Sequence, residues 1–109
     1  MTELSIRWSV RDKQGNLIYL TQERWEHIID ASNHPEMTAY EDSLKETVQQ
    51  GKRTQDSLNP QKYRYSMAFN HLAEYNTHII AIVIFRLHEQ NGQFTPNNYI
   101  VTAFQKEIG

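Results

Sequence analysis

Hydrophobic and polar positions divide this chain into short segments of differing period. The longest apolar stretch is Thr77 to Arg86, THIIAIVIFR, in which seven consecutive residues, Ile79 to Phe85, carry no polar side chain. Its length and its Ile and Val content predict a strand buried on both faces. Tyr99 to Gln105, YIVTAFQ, predicts a C-terminal strand with Ile100, Thr102 and Phe104 on one face and Tyr99, Val101 and Ala103 on the other. Between them, Asn91-Gly92 and Pro96 predict a loop from about Leu87 to Asn98.

The N-terminal half alternates first and then turns helical. In LSIRWSV, residues Leu4, Ile6, Trp8 and Val10 share one face of a half-buried strand. The cluster DKQGN, Asp12 to Asn16, is a turn with Gly15 available for positive φ. Leu17 to Leu20 returns as a second strand, which makes a hairpin. Thr21 is placed to cap a helix running through ERWEHIIDA, with Glu23 complementing its dipole and Trp25, Ile28 and Ile29 as its apolar stripe. Asn33-His34-Pro35 is the expected stop. A second helix is predicted from the Thr38/Glu41 capping box, with Tyr40, Leu44 and Val48 on one face and Gly51 as its C-cap.

Lys52 to Leu58 reads as extended or a short strand, and Asn59-Pro60 as a turn. Tyr63 to Phe69 alternates again, with Tyr63, Tyr65, Met67 and Phe69 on one side and Arg64, Ser66 and Ala68 on the other. The expected fold is α+β, an N-terminal β-hairpin and two helices packed on a four-stranded antiparallel β-meander.

Length and composition narrow the setting. The 109 residues form a single expected domain, 1–109, able to bury roughly two-thirds of its unfolded surface. The absence of cysteine excludes disulfides and thiolate metal sites, and it is compatible with a cytoplasmic location. Histidines 27, 34, 71, 78 and 88 form no H-x-x-x-H pair, so no metal is expected, and no glycine-rich phosphate loop points to a cofactor. No stretch approaches the roughly 20 apolar residues of a membrane span, and the N-terminus lacks a signal-peptide layout.

Net charge is −2, which argues against generic nucleic-acid binding, but its distribution is uneven. Residues 20–46 are acidic, whereas 52–69 carry Lys52, Arg53, Lys62 and Arg64 against Asp56 alone. That segment suits either phosphate binding or a solvated strand edge whose lysines discourage aggregation.

The run Leu20 to Ile29, LTQERWEHII, is followed by His34-Pro35-Glu36, a helix, the basic segment and the final Tyr99 to Phe104, YIVTAF. Over about residues 17–105 this resembles the phage-associated barnase–EndoU–colicin–RelE-like nuclease family, small ribonuclease and toxin-type domains. The resemblance implies a barnase/RelE-like fold and metal-independent endoribonuclease chemistry, transesterification to a 2′,3′-cyclic phosphate. Such chemistry needs a base, an acid and a cation on the phosphate. The matching positions are His27 as base or acid, Arg53 as phosphate clamp and Thr102 as a hydrogen-bond donor. Tyr65, Arg64, Lys52 and His34 would bind RNA, and an inhibitor or antitoxin protein would be a partner.

Each assignment has a structural alternative. His27 lies about 200° around the helix from Trp25, off the apolar stripe. Arg53 and His34 fit a solvated charge and a loop residue, and Thr102 fits a strand threonine with a satisfied hydroxyl. The Lys62/Arg64 and Tyr63/Tyr65 interleaving suits RNA stacking and equally an amphipathic strand. A non-catalytic protein- or RNA-binding module of the same fold therefore stands beside the ribonuclease, with homodimerisation through the N-terminal hairpin as a third reading.

Overall fold

The computed structural model describes residues 5–108; Leu4, the first residue of the expected N-terminal apolar face, lies outside them. The elements are β1 (Ile6–Arg11), β2 (Leu17–Thr21), α1 (Gln22–Ile29), a 3-10 helix (Pro35–Tyr40), α2 (Glu41–Gln50), β3 (Lys52–Gln55), β4 (Lys62–Ala68), β5 (His78–Gln90) and β6 (Gln93–Lys106). The fold is α+β, with one six-stranded sheet in the order β1-β2-β6-β5-β4-β3.

The sheet is larger than the expected four strands, and it is mixed. Strands β3 to β6 pair antiparallel with their sequence neighbours. The β1–β2 hairpin joins them through a parallel contact, Ile18 opposite Asn98 and Tyr19 opposite Tyr99. A two-stranded hairpin is marginal alone in water, and β6 offers it a free edge. Ile18 and Leu20 of β2 are thereby fully buried in the core with Ile79, Ala81, Val83, Ile100 and Ala103 of the sheet. Trp25 and Ile28 of α1, Met37, and Leu44 and Val48 of α2 complete that core.

Local chemistry explains most element ends. Thr21 is extended (φ −81°, ψ 155°) and its Oγ1 accepts from Arg24 N at 3.1 Å, so α1 begins as expected. It ends earlier than expected, at Asp30, whose carboxylate accepts from Ser32 N at 2.9 Å and Ser32 Oγ at 2.6 Å. These local bonds compete with the helix and win before Pro35 is reached.

The Thr38/Glu41 capping box does not form. Thr38 Oγ1 donates to Pro35 O at 2.8 Å within the 3-10 helix, and α2 starts only at Glu41. The Glu41 carboxylate is engaged by β1, accepting from Arg7 and from Trp8 Nε1 at 2.8 Å. Gly51 does end α2, at φ −70° rather than in the left-handed region. A side chain is excluded there by crowding: a Cβ would stand 2.3 Å from Thr47 O and 2.8 Å from Ser66 O.

Two departures concern β5 and β6. The segment expected as a loop, Leu87 to Asn98, is instead strand on both sides of a two-residue turn at Asn91 (φ 55°) and Gly92 (φ 77°). Positive φ at both positions gives the turn a twist that matches its flanking strands. β4 pairs with β5 only as far as Ile84, and β2 with β6 only at Asn98 and Tyr99, so the rest of the hairpin projects as a two-stranded arm. Pro96 lies in this arm, where β6 has no second neighbour.

The other departure is a β-bulge. Ile82 pairs with Thr102 and Val83 with Ile100, which leaves Val101 as an extra residue. The bulge resets the alternation, so Ile100 and Ala103 are both fully buried and Ile100 does not share a face with Thr102.

Candidate functional site

Strand register sorts the candidate residues into two rows on opposite faces. Arg53, Tyr65, Ala81 and Ala103 stand opposite one another across β3, β4, β5 and β6. Residues opposite one another project to the same side, and Tyr65, Ala81 and Ala103 are buried with α2 residues Leu44 and Val48. The adjacent row is Thr54, Arg64, Ile82 and Thr102, which projects to the other side. Lys52, two residues before Thr54 and opposite Ser66, belongs to that second side.

Arg53 therefore meets Tyr65, and both meet a residue assigned only to a turn, Asp12. The Asp12 carboxylate organises the DKQGN turn: Oδ1 accepts from Gln14 N at 3.0 Å and Asn16 N at 2.8 Å, and Oδ2 from Asn16 Nδ2 at 3.0 Å. Gly15, at φ +87°, completes that turn. The tip of the β1–β2 hairpin reaches β4 and β3 through this carboxylate. Tyr65 Oη donates to Asp12 Oδ2 at 2.5 Å, and Arg53 Nη1 lies 3.9 Å from the same oxygen. The Asp12 side chain is 1% exposed and that of Arg53 27%.

The carboxylate is buried yet charged. Burial pushes the Asp12 pKa up, but hydrogen bonds from Tyr65, Asn16 and Gln14 outweigh it and hold the group below the usual carboxylate range. Tyr65 moves the other way: burial, then its bond to Asp12, pushes the phenol above its ordinary value. Asp12 stays ionised and Tyr65 stays protonated across the neutral range.

Arg53 is held from a second side by aromatic rings. Its guanidinium carbon is 4.7 Å from the Tyr63 ring centre and 5.7 Å from that of Phe85, and the two rings are 4.6 Å apart. A planar guanidinium with five N–H donors, stacked on rings and anchored to one carboxylate, presents a pre-oriented fork. Beside it lies a recess of about 260 Å³ lined by Asn16, Gln61, Phe85, Arg86, Leu87, Pro96 and Asn98. Asn98 is buried, and its Nδ2 donates to Leu17 O at 3.1 Å.

The other candidates lie elsewhere. His27 is exposed in the last turn of α1, which packs against β6, β2 and β1 rather than β3. The His34 ring lies 5.6 Å from Phe104, and its Nδ1 is 3.6 Å from Glu36. Arg64 lines a separate recess with Thr54, Asp56, Lys62 and Ile82. Thr102 and Arg53 project to opposite faces, so one phosphate does not span them. Asp12, Phe85 and Asn98 are the functional candidates that pattern reasoning misses. An Asp opening a turn is legible as an Asx turn, but nothing local ties it to a tyrosine on β4.

Among the described residues no group of three His, Asp or Glu side chains is placed to hold a metal ion. No helix among them is long and apolar enough to cross a membrane. No protein-family model, curated protein or solved structure matches the chain.

Proposed function

We propose that this protein is a non-catalytic module that binds single-stranded RNA, with a barnase/RelE-like arrangement of helices and sheet and a cytoplasmic place of action. The observation that carries this reading is the Arg53 fork. It is partly exposed, fixed by Asp12 and stacked on Tyr63 and Phe85. Such a group suits a phosphate oxygen pair, because guanidinium–phosphate contacts are charge-assisted and bidentate. The amide-lined recess beside Phe85 suits the edge of a base.

Binding without cleavage is preferred for a chemical reason. Cutting RNA requires a group that accepts and returns a proton near neutral pH beside the phosphate. Asp12 is held charged and Tyr65 protonated. His27, which the ribonuclease reading needs as base or acid, sits on α1.

The test is fluorescence anisotropy with a short labelled single-stranded RNA in EDTA, followed by electrophoresis of the same RNA. Wild-type protein should bind more weakly as salt rises and leave the RNA intact. Arg53→Ala should weaken binding about tenfold, the scale of one lost charged hydrogen bond, and Arg53→Lys should recover only part of it. Absence of binding, or binding indifferent to Arg53→Ala, rejects this reading. Cleavage in EDTA restores the ribonuclease instead, and His27→Ala and Thr102→Ala then ask whether those residues serve it.

A further inference from the structure

The β5–β6 arm carries a face whose outer apolar residues, Leu87, Pro96 and Phe94, are exposed. Three residue pairs share that face, since they recur at two-residue intervals: Phe85 with Asn98, Leu87 with Pro96, and Glu89 with Phe94. Leu87 is 68% exposed and Phe94 63%. The recess lies at the base of the same face, lined by Phe85, Leu87, Pro96 and Asn98. One side thus bears a projecting ring near its tip and a hollow near its root, with the Leu87–Pro96 pair midway.

We propose that this face docks against a second copy of the chain, arm to arm and antiparallel. The argument is self-complementarity. The three pairs are evenly spaced, about 7 Å apart. A two-fold axis lying across the strands at the Leu87–Pro96 level exchanges the outer two levels and keeps β5 over β5 and β6 over β6. Phe94 of each copy then enters the Asn98 side of the other copy's recess. Glu89 of each copy then lies over Phe85 of the other, where the Arg53 guanidinium is 5.7 Å from the ring centre. Apolar knob meets recess, and carboxylate meets guanidinium. A closed two-fold contact of this kind uses the same patch twice and stops at a dimer.

This inference does not rest on RNA binding. It relocates the dimer contact from the N-terminal hairpin to the C-terminal one. It also sets a relation between the two: Glu89 of the second copy would cover the open side of Arg53, so the dimer and an anion would compete for that guanidinium.

Sedimentation equilibrium of the full chain, without nucleic acid, tests it. Wild-type protein should self-associate to a dimer and no further. Phe94→Asp should raise the dimer dissociation constant about tenfold or more, as for a central aromatic anchor. Because the chain has no cysteine, a single added thiol is unique. Leu87→Cys, placed at the axis, should be joined to a second copy by a short bismaleimide. Leu58→Cys, 93% exposed and outside the arm, should not. A wild-type monomer at every accessible concentration, a dimer unchanged by Phe94→Asp, or equal crosslinking at the two cysteines each overturns the proposal. The crosslinking pair keeps the test decisive even if Phe94→Asp perturbs the arm.

Discussion

Tyr65 Oη donates to Asp12 Oδ2 at 2.5 Å, joining β4 to the tip of the β1–β2 hairpin across fifty-three residues of chain. Both groups are buried, and the bond links strands that are not neighbours in the sheet. It is the polar counterpart of the core beneath it and the contact that places Asp12 beside Arg53.

Tyr65→Phe removes one donor from a buried ionised carboxylate while preserving the ring. Hydrogen bonds to charged groups contribute about 1.5–3 kcal/mol, so a loss of that size is expected in urea unfolding. A change near zero would mean that the Gln14 and Asn16 donors alone satisfy Asp12.

Asp12 should also appear in the acid limb of stability. Its pKa in the folded protein is depressed, so folding favours the ionised form. Its contribution is present above the unfolded value, about 3.9, and is lost as pH falls through the folded one. Glu41 behaves likewise, held low chiefly by its hydrogen bond from Arg7. The stability advantage of wild type over Asp12→Asn should therefore hold from neutral pH to about 5 and shrink below about 4. Chemical denaturation of both proteins across that range checks it, and a constant difference down to low pH contradicts the assignment.

Gly51→Ala should destabilise through crowding, not backbone strain. The added methyl meets backbone oxygens of α2 and β4, which cannot rotate aside. Overpacking of this kind costs about 1–3 kcal/mol or more. Gly15 and Gly92 present the opposite case, with nothing near a Cβ but positive φ. Thermal melts of Gly51→Ala should show the lowest midpoint of the three alanine variants.

The arm should open separately from the core. Gly92→Ala places an L-residue at φ 77°, at a cost of about 1–2 kcal/mol. Hydrogen exchange should quicken at the arm's cross-strand amides while amides of Ile79 to Val83 keep their protection. Equal loss in both regions would show that arm and sheet unfold together.

Legibility in the sequence followed the range of the interaction. The Thr21 cap, the β4 alternation and the Ile79–Phe85 run each depend on neighbours within a few positions. The expected β1 face held only for Trp8 and Val10: a register shift between Ile6 and Trp8 puts Ile6 out of phase and leaves it 56% exposed. The expected loop between β5 and β6 failed because Asn91-Gly92 looks like an interruption in a linear sequence, whereas two positive φ values let it continue the ladder. The capping box failed because Glu41 found partners on β1, a contact invisible to local spacing. The site was half legible: Arg53 and Tyr65 were candidates, but their anchor Asp12 was not.

The sequence by itself determined the local periods, the turn chemistry and the absence of thiol chemistry, since these arise from adjacent side chains and backbone bonds. Tertiary structure alone decided that β2 joins β6 in parallel and that a bulge at Val101 turns Ile100 inward. It also decided that Arg53 meets Asp12 while Thr102 faces away. Register between strands is set by the packing of a whole sheet against its helices, and each one-residue shift moves a side chain to the opposite face. No short stretch of residues encodes that sum.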